Sequence, residues 1–131
     1  MSGCEWVVDA CGCAPESLRD PGRLRLLLER LVADLPLHPV GAPLWHQFPG
    51  EGGITGLCLL SESHFACHSF PEHGSLCVNL FCCRPRAEWD FAGYLKREFG
   101  ASRVEVRRIE RDYESGAAWE SGAARKDMPA A

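Results

Sequence analysis

The sequence predicts an α+β fold, a two-layer sandwich in which a mainly antiparallel sheet carries two helices on one face. Two stretches repeat apolar residues at helical spacing: Leu24, Leu27, Leu28, Leu31 and Leu35 in one, Trp89, Ala92, Leu95 and Phe99 in the other. Several other short runs are β-branched or aromatic, bounded by Gly and Pro. Most of these runs follow one another through short turns without an intervening helix, which makes neighbours antiparallel. A length of 131 residues allows one domain. That domain is expected over residues 1–112, with 113–131, rich in Ala, Gly, Ser and charge, as a flexible tail.

The elements are justified in order. Residues 6–11 (WVVDAC) read as a first strand, closed by Gly12 and Pro15. Asp20 is placed to cap the first helix, Pro21 sits where its missing N–H is harmless, and Pro36 ends it. Residues 39–48 are extended but broken by proline, and 49–53 (PGEGG) form a flexible loop. Residues 54–60 and 65–70 are strands around a tight junction, 71–74 (PEHG) a turn, and 75–83 the next strand. A second helix is expected over 86–99 with Gly100 as its left-handed stop, then a last alternating strand over 102–109. Nothing in the chain covers the second sheet face, so a second copy is expected there, a homodimer.

Composition excludes some partners. The net charge is −4, and Arg103, Arg107, Arg108 and Arg111 are interleaved with Glu105 and Glu110, which leaves no basic stripe for nucleic acid. No run approaches the ~20 apolar residues of a membrane span, and the first residues lack the pattern of a secretory signal. The expectation is a cytoplasmic protein without a membrane partner, its eight cysteines reduced.

Chemistry concentrates in residues 54–83, ITGLCLLSESHFACHSFPEHGSLCVNLFCC. Strand alternation puts His64, Ala66, His68 and Phe70 on one face, and Cys77, Asn79, Phe81 and Cys83 on one face of the next strand. If these faces coincide, His68, Asn79 and Cys83 meet near Ser63. Three chemistries fit such a cluster. Zinc has Cys and His ligands available in His64, Cys67, His68, Cys82 and Cys83, although alternation turns Cys67 away from the histidines. A thiol hydrolase would use Cys83 or Cys67 with His68. Self-cleavage at Glu62-Ser63 would have the Ser63 hydroxyl attack the preceding carbonyl, with His68 as acid or base and Thr55 as a hydrogen-bond donor.

The same stretch closely resembles the small S-adenosylmethionine decarboxylase proenzymes of bacteria and archaea. The resemblance rests on Thr55-Gly56, Glu62-Ser63-His64, His68 through Gly74 (HSFPEHG) and Asn79 through Cys83 (NLFCC), with His46-Gln47-Phe48 upstream. It implies the family's sandwich fold and cleavage between Glu62 and Ser63, giving chains 1–62 and 63–131. Ser63 would become a pyruvoyl group that forms a Schiff base with the substrate amine, with no metal and no pyridoxal phosphate. By the same resemblance His68 is the processing histidine, Thr55 supports it, and Cys83 protonates the product carbon. Glu72 would hold the substrate ribose, Phe48 would stack on adenine, and Phe70 and Asn79 would lie against substrate. The implied product is the aminopropyl donor for spermidine, and the implied assembly is a dimer with sites at or near its interface.

Departures from the family pattern fall beside the substrate. Phe70 stands where Trp is usual, Asn79 where Asp is usual, Cys82 for Thr or Ser, and Arg84 for Gly. The losses and gains at Asn79 and Arg84 change local charge by about two. An ornithine or arginine decarboxylase of the same family is therefore the alternative, and an inactive dimerising paralogue a further one. Elsewhere the plain readings are that His46 and His73 are loop histidines, and that Cys4, Cys11, Cys13, Cys58 and Cys77 are fillers or bystanders. Phe48 is equally a candidate for the core.

Overall fold

A computed structural model describes residues 2–114. Among them six strands form one antiparallel sheet in the order β2-β3-β4-β5-β1-β6. The strands are β1 Gly3–Cys11, β2 Leu44–Gln47, β3 Ile54–Leu60, β4 Ser63–Phe70, β5 Ser75–Cys82 and β6 Arg103–Arg111. Helices α1 Pro15–Leu18, α2 Pro21–Asp34 and α3 Phe91–Phe99 complete the α+β sandwich.

One sheet face and the helices enclose the core. Trp6, Val8, Phe65 and Leu80 from the strands are buried with Leu24, Leu27, Leu28 and Leu31 of α2 and Leu95 and Phe99 of α3. Each fully buried side chain of this kind contributes roughly 1.5–3 kcal/mol. The α2 stripe is therefore what fastens the helix to the sheet. Its start is set as the sequence predicts: the Asp20 carboxylate accepts from the Gly22 N–H at 3.0 Å.

The second long helix starts later than residue 86. Asp90 caps α3, accepting from the Gly93 N–H at 3.0 Å. Residues 85–89 before it have no regular secondary structure, with Trp89 donating to the Asp34 carboxylate at 2.8 Å and Arg86 to the Leu35 carbonyl at 3.1 Å. Trp89 reaches the core from this segment, not from a helical turn, so its match to the helical period is incidental. Helix α1 was not anticipated, since four residues are too short to show a period. Gly100 does end α3 with φ +69.

The 39–48 segment condenses to the short edge strand β2, where the Trp45 ring lies on Gly56. A Cβ at Gly56 would sit 2.3 Å from that ring. Residues 49–53 are better tied than a free glycine loop. The Phe48 N–H bonds the Gly53 carbonyl at 2.8 Å, and the Gln47 side chain donates to the carbonyls of Arg19 and Gly52 at 2.8 and 3.1 Å. Tyr113, placed in the tail by composition, donates its hydroxyl to the Cys83 carbonyl at 2.8 Å. The rest of the expected tail, from residue 115, lies outside the described residues.

The face turned away from the helices is apolar towards its β2 edge. Leu57 lies between Leu44 and Ala66 in the strand register, and Leu57, Leu59 and Leu44 are 50%, 62% and 72% exposed. Isolated exposed leucines are ordinary; three adjacent ones on a flat sheet are not.

Candidate functional site

Strand β4 sorts the predicted residues by alternation. Ser63, Phe65, Cys67 and Ser69 face the core, whereas His64, Ala66, His68 and Phe70 face outward. On β5, Leu76, Val78, Leu80 and Cys82 are buried, which leaves Cys77, Asn79 and Phe81 outward. The two outward sets do share one face. The register pairs Ser63 with Cys82, His64 with Phe81, Ala66 with Asn79 and His68 with Cys77.

That register overturns the expected convergence of His68, Asn79 and Cys83 near Ser63. His68 lies five residues along β4 from Ser63, about 16 Å at the usual rise per residue. Asn79 sits between the two ends. Nor does the zinc set gather on one side, because Cys67 and Cys82 lie in the core and the two histidines outside it.

The site is consequently split between two ends of one strand. At the first end, β3 and β4 are joined through Ser61 and Glu62. Glu62 holds φ +64, a left-handed conformation usual for Gly or Asn and strained for Glu by roughly 1–3 kcal/mol. Its carbonyl, the one a cleavage before Ser63 would break open, accepts from the Cys83 N–H at 2.7 Å. The Ser63 hydroxyl is buried and has no hydrogen-bond partner among the described residues. An unpaired buried hydroxyl next to a polarised carbonyl in a strained turn is chemically poised: the nucleophile has no competing bond, and a donor already points at the oxygen that would take up charge. Glu62 also pairs through its carboxylate with Arg84, at 3.1 Å to Nε.

At the second end lies a cavity of about 460 Å³ lined by Phe48, Gly53, Thr55, His68, Phe70 and Glu72, with the anchored 49–53 loop as a wall. Thr55 and His68 are register partners, and Thr55 Oγ1 is 3.0 Å from His68 Nδ1. That bond fixes the imidazole plane and leaves Nε2 for other work. Glu72 is held by the 3-10 turn Pro71–His73, which Gly74 closes with φ +63. Phe48 is 51% exposed and packs edge-on against His46 at 4.5 Å, so it is a wall of the cavity and not part of the core. His46, read as a loop histidine, lies on β2 opposite Thr55.

The local charge change expected from Asn79 and Arg84 is absorbed by neighbours. The Asn79 carboxamide donates to Glu5, on the adjacent strand β1, and Arg111 donates to the same carboxylate. A carboxylate therefore still stands at this point of the face, contributed by β1. Arg84 is neutralised by Glu62. Sequence reasoning missed Glu5 because only the pairing of β1 with β5 brings it there; its place in an alternating strand was the available signal.

The cysteines also separate. Burial pushes the Cys67 thiol up to about 12, and burial with the neighbouring Cys4 pushes Cys82 up to about 11. Neither is a ready thiolate. Cys83 is partly exposed, beside a small cavity formed with Ser2, Arg84, Pro85 and Tyr113. Cys11 is exposed, not a filler, and Cys77 lies near Asp9, with burial and that carboxylate raising its pKa.

Comparison with known proteins bears on this split site. The sequence model of the family described as S-adenosylmethionine decarboxylase matches residues 4–112. A proenzyme of that name from Carboxydothermus hydrogenoformans is 32% identical over 108 residues, covering 80% of this chain and 82% of the relative. One from Pyrococcus furiosus is 31% identical over 114 residues, covering 86% and 80%. One from Moorella thermoacetica is 30% identical over 106 residues, covering 80% and 83%.

Proposed function

The chain belongs to the S-adenosylmethionine decarboxylase family, and from that membership we propose that it decarboxylates S-adenosylmethionine with a pyruvoyl group made from its own Ser63. The observation that carries this reading is the first end of β4: a left-handed Glu62, its carbonyl bonded to the Cys83 N–H, and an unpartnered Ser63 hydroxyl. In the self-cleavage the Ser63 oxygen bonds to the Glu62 carbonyl carbon, the C–N bond breaks, and the hydroxyl proton passes to the nitrogen. Loss of the Ser63 α-proton then expels the Glu62 carboxylate, and hydrolysis with release of ammonia leaves the ketone. The Cys83 N–H stabilises the charge on the former carbonyl oxygen.

The mature group supplies an electron sink for the carboxylate that leaves. The protein supplies the rest. Glu72 accepts hydrogen bonds from substrate hydroxyls, and Phe48 and Phe70 offer aromatic faces to the adenine and to the sulfonium cation. Cys83, whose N–H bonds the Glu62 carbonyl, returns a proton to carbon. Glu5, bonded to Asn79 and paired with Arg111, places a carboxylate near the middle of the face. The matching family and relatives carry the S-adenosylmethionine decarboxylase description, and no observation favours the ornithine and arginine alternatives. Residues 1–112 act as the catalytic domain.

Assembly follows from the split. Thr55 and His68 cannot reach Ser63 of the same copy, since a paired strand does not shorten. Two copies packed through the outer face about a two-fold axis would bury the Leu44, Leu57 and Leu59 patch and bring the cavity end of each against the cleavage end of the other. A homodimer with two composite sites is the reading this geometry supports.

The test is mass spectrometry of purified protein with carbon dioxide release from S-adenosylmethionine. Two fragments divided before Ser63, and loss of both division and activity in Ser63→Ala, are expected. A folded, undivided wild-type chain would sink the reading.

A further inference from the structure

We propose that Arg84 is a positioning residue for the self-cleavage, clamping the Glu62 side chain so that the scissile carbonyl stays on the Cys83 N–H; this rests on the pyruvoyl reading above. The Arg84 guanidinium meets both carboxylate oxygens of Glu62, Nε to Oε2 at 3.1 Å and Nη2 to Oε1 at 3.2 Å, the forked geometry that fixes direction as well as distance. Cys83 and Arg84 are consecutive. One short segment after β5 therefore holds Glu62 at two points, the backbone oxygen through the Cys83 N–H and the side chain through Arg84.

The turn needs such a hold. A glutamate at φ +64 relaxes to negative φ unless its surroundings prevent it, and that rotation would swing its carbonyl away from the donor. The segment itself is anchored, since the Tyr113 hydroxyl bonds the Cys83 carbonyl at 2.8 Å. Arg84 and Glu62 are 71% and 49% exposed in their side chains, so the pair adds little to global stability. Its influence falls on one local equilibrium, the fraction of chains whose scissile carbonyl is correctly held. The attack on the Glu62 carbon proceeds from that fraction alone.

The experiment follows cleavage of the full chain in cell-free translation, by denaturing electrophoresis, for wild type, Arg84→Gly, Arg84→Lys, Glu62→Gln and the Glu62→Gln/Arg84→Gly pair. Arg84→Gly is expected to slow cleavage about two- to five-fold, and Arg84→Lys less, because it keeps the charge without the fork. About 0.5 M salt should slow wild type towards Arg84→Gly and leave Arg84→Gly itself unchanged. In the Glu62→Gln background, removing Arg84 should have no further effect. Melting of the uncleavable Ser63→Ala chain should not move when Arg84→Gly is added. Cleavage of Arg84→Gly at the wild-type rate overturns the proposal, as does an additive effect with Glu62→Gln or a parallel fall in melting temperature. Failure of wild type to cleave overturns instead the pyruvoyl reading on which it rests.

Discussion

The two ends of β4 are built by opposite means. The end at Ser63 has a strained turn, a backbone donor at 2.7 Å and an ion pair, all acting on one peptide bond. The end at His68 has a volume of about 460 Å³, aromatic walls and an oriented histidine, and no strained bond. One end is fit to make a reactive group and the other to receive a molecule. A hydrogen-bonded strand of fixed length joins them and keeps them about 16 Å apart within one copy, which is what the proposed pairing of two copies would overcome.

The comparison breaks most sharply in a complementation experiment. Ser63→Ala and His68→Ala should each, expressed alone, leave the chain uncut, a loss of more than about a hundredfold for a missing nucleophile or acid–base group. Co-expressed with different tags, they should form mixed dimers in which one site pairs an intact Ser63 with an intact His68. The His68→Ala chain should then be cut and the Ser63→Ala chain not. Absence of any cut chain in verified mixed dimers would place both groups' work inside one copy. A charge in the apolar patch on β2 and β3 tests the same point from the other side. Leu57→Lys would set like charges near the two-fold axis and should dissociate the dimer on size exclusion, lowering cleavage about tenfold or more while the monomer stays folded.

The cavity end can be damaged alone. Glu72→Gln, in the 3-10 turn, should leave cleavage at the wild-type rate and raise KM for S-adenosylmethionine about 10- to 100-fold, the range for losing a charged hydrogen-bond acceptor. If cleavage slowed as well, Glu72 would belong to both ends and the division would be too sharp.

How much of this was legible depended on whether the information was local. The leucine stripe of α2, the Asp20 cap, the Gly100 stop and the alternation that groups His64, Ala66, His68 and Phe70 on one face are properties of neighbouring residues, and they read correctly. Distances between strands are not local. That Thr55 faces His68 and that Asn79 finds its carboxylate on Glu5 follow from register, which spacing alone does not reveal; that Ser63 stands far from His68 follows from β4 beginning at Ser63 and not at residue 65. Motif resemblance gathers these residues into one site, whereas the fold sets them at two ends of one strand. Helix α3 shows the converse error, a periodic Trp89 that reaches the core without being helical.

The smallest expected effect concerns what the two ends share, the buried face beneath them. Cys67 lies under the cavity half of β4 and Cys82 under the cleavage half, with thiols pushed by burial from 9.0 to about 12 and about 11. In the unfolded chain these thiols ionise near their ordinary value, while in the folded chain they stay neutral. The unfolded state then gains charge first, so stability is complete below pH 9.0 and declines as pH rises towards 11 and 12. Melting temperature should fall gradually over that window, and the fall should be shallower in Cys67→Ala even though that variant starts lower for loss of packing. Since one core supports both ends, binding at the cavity and the cleavage rate should decline together with melting. A cavity that lost its ligand while melting held steady would tie the alkaline transition to a group in the cavity, and the two ends would then differ in their pH response as well as in their construction.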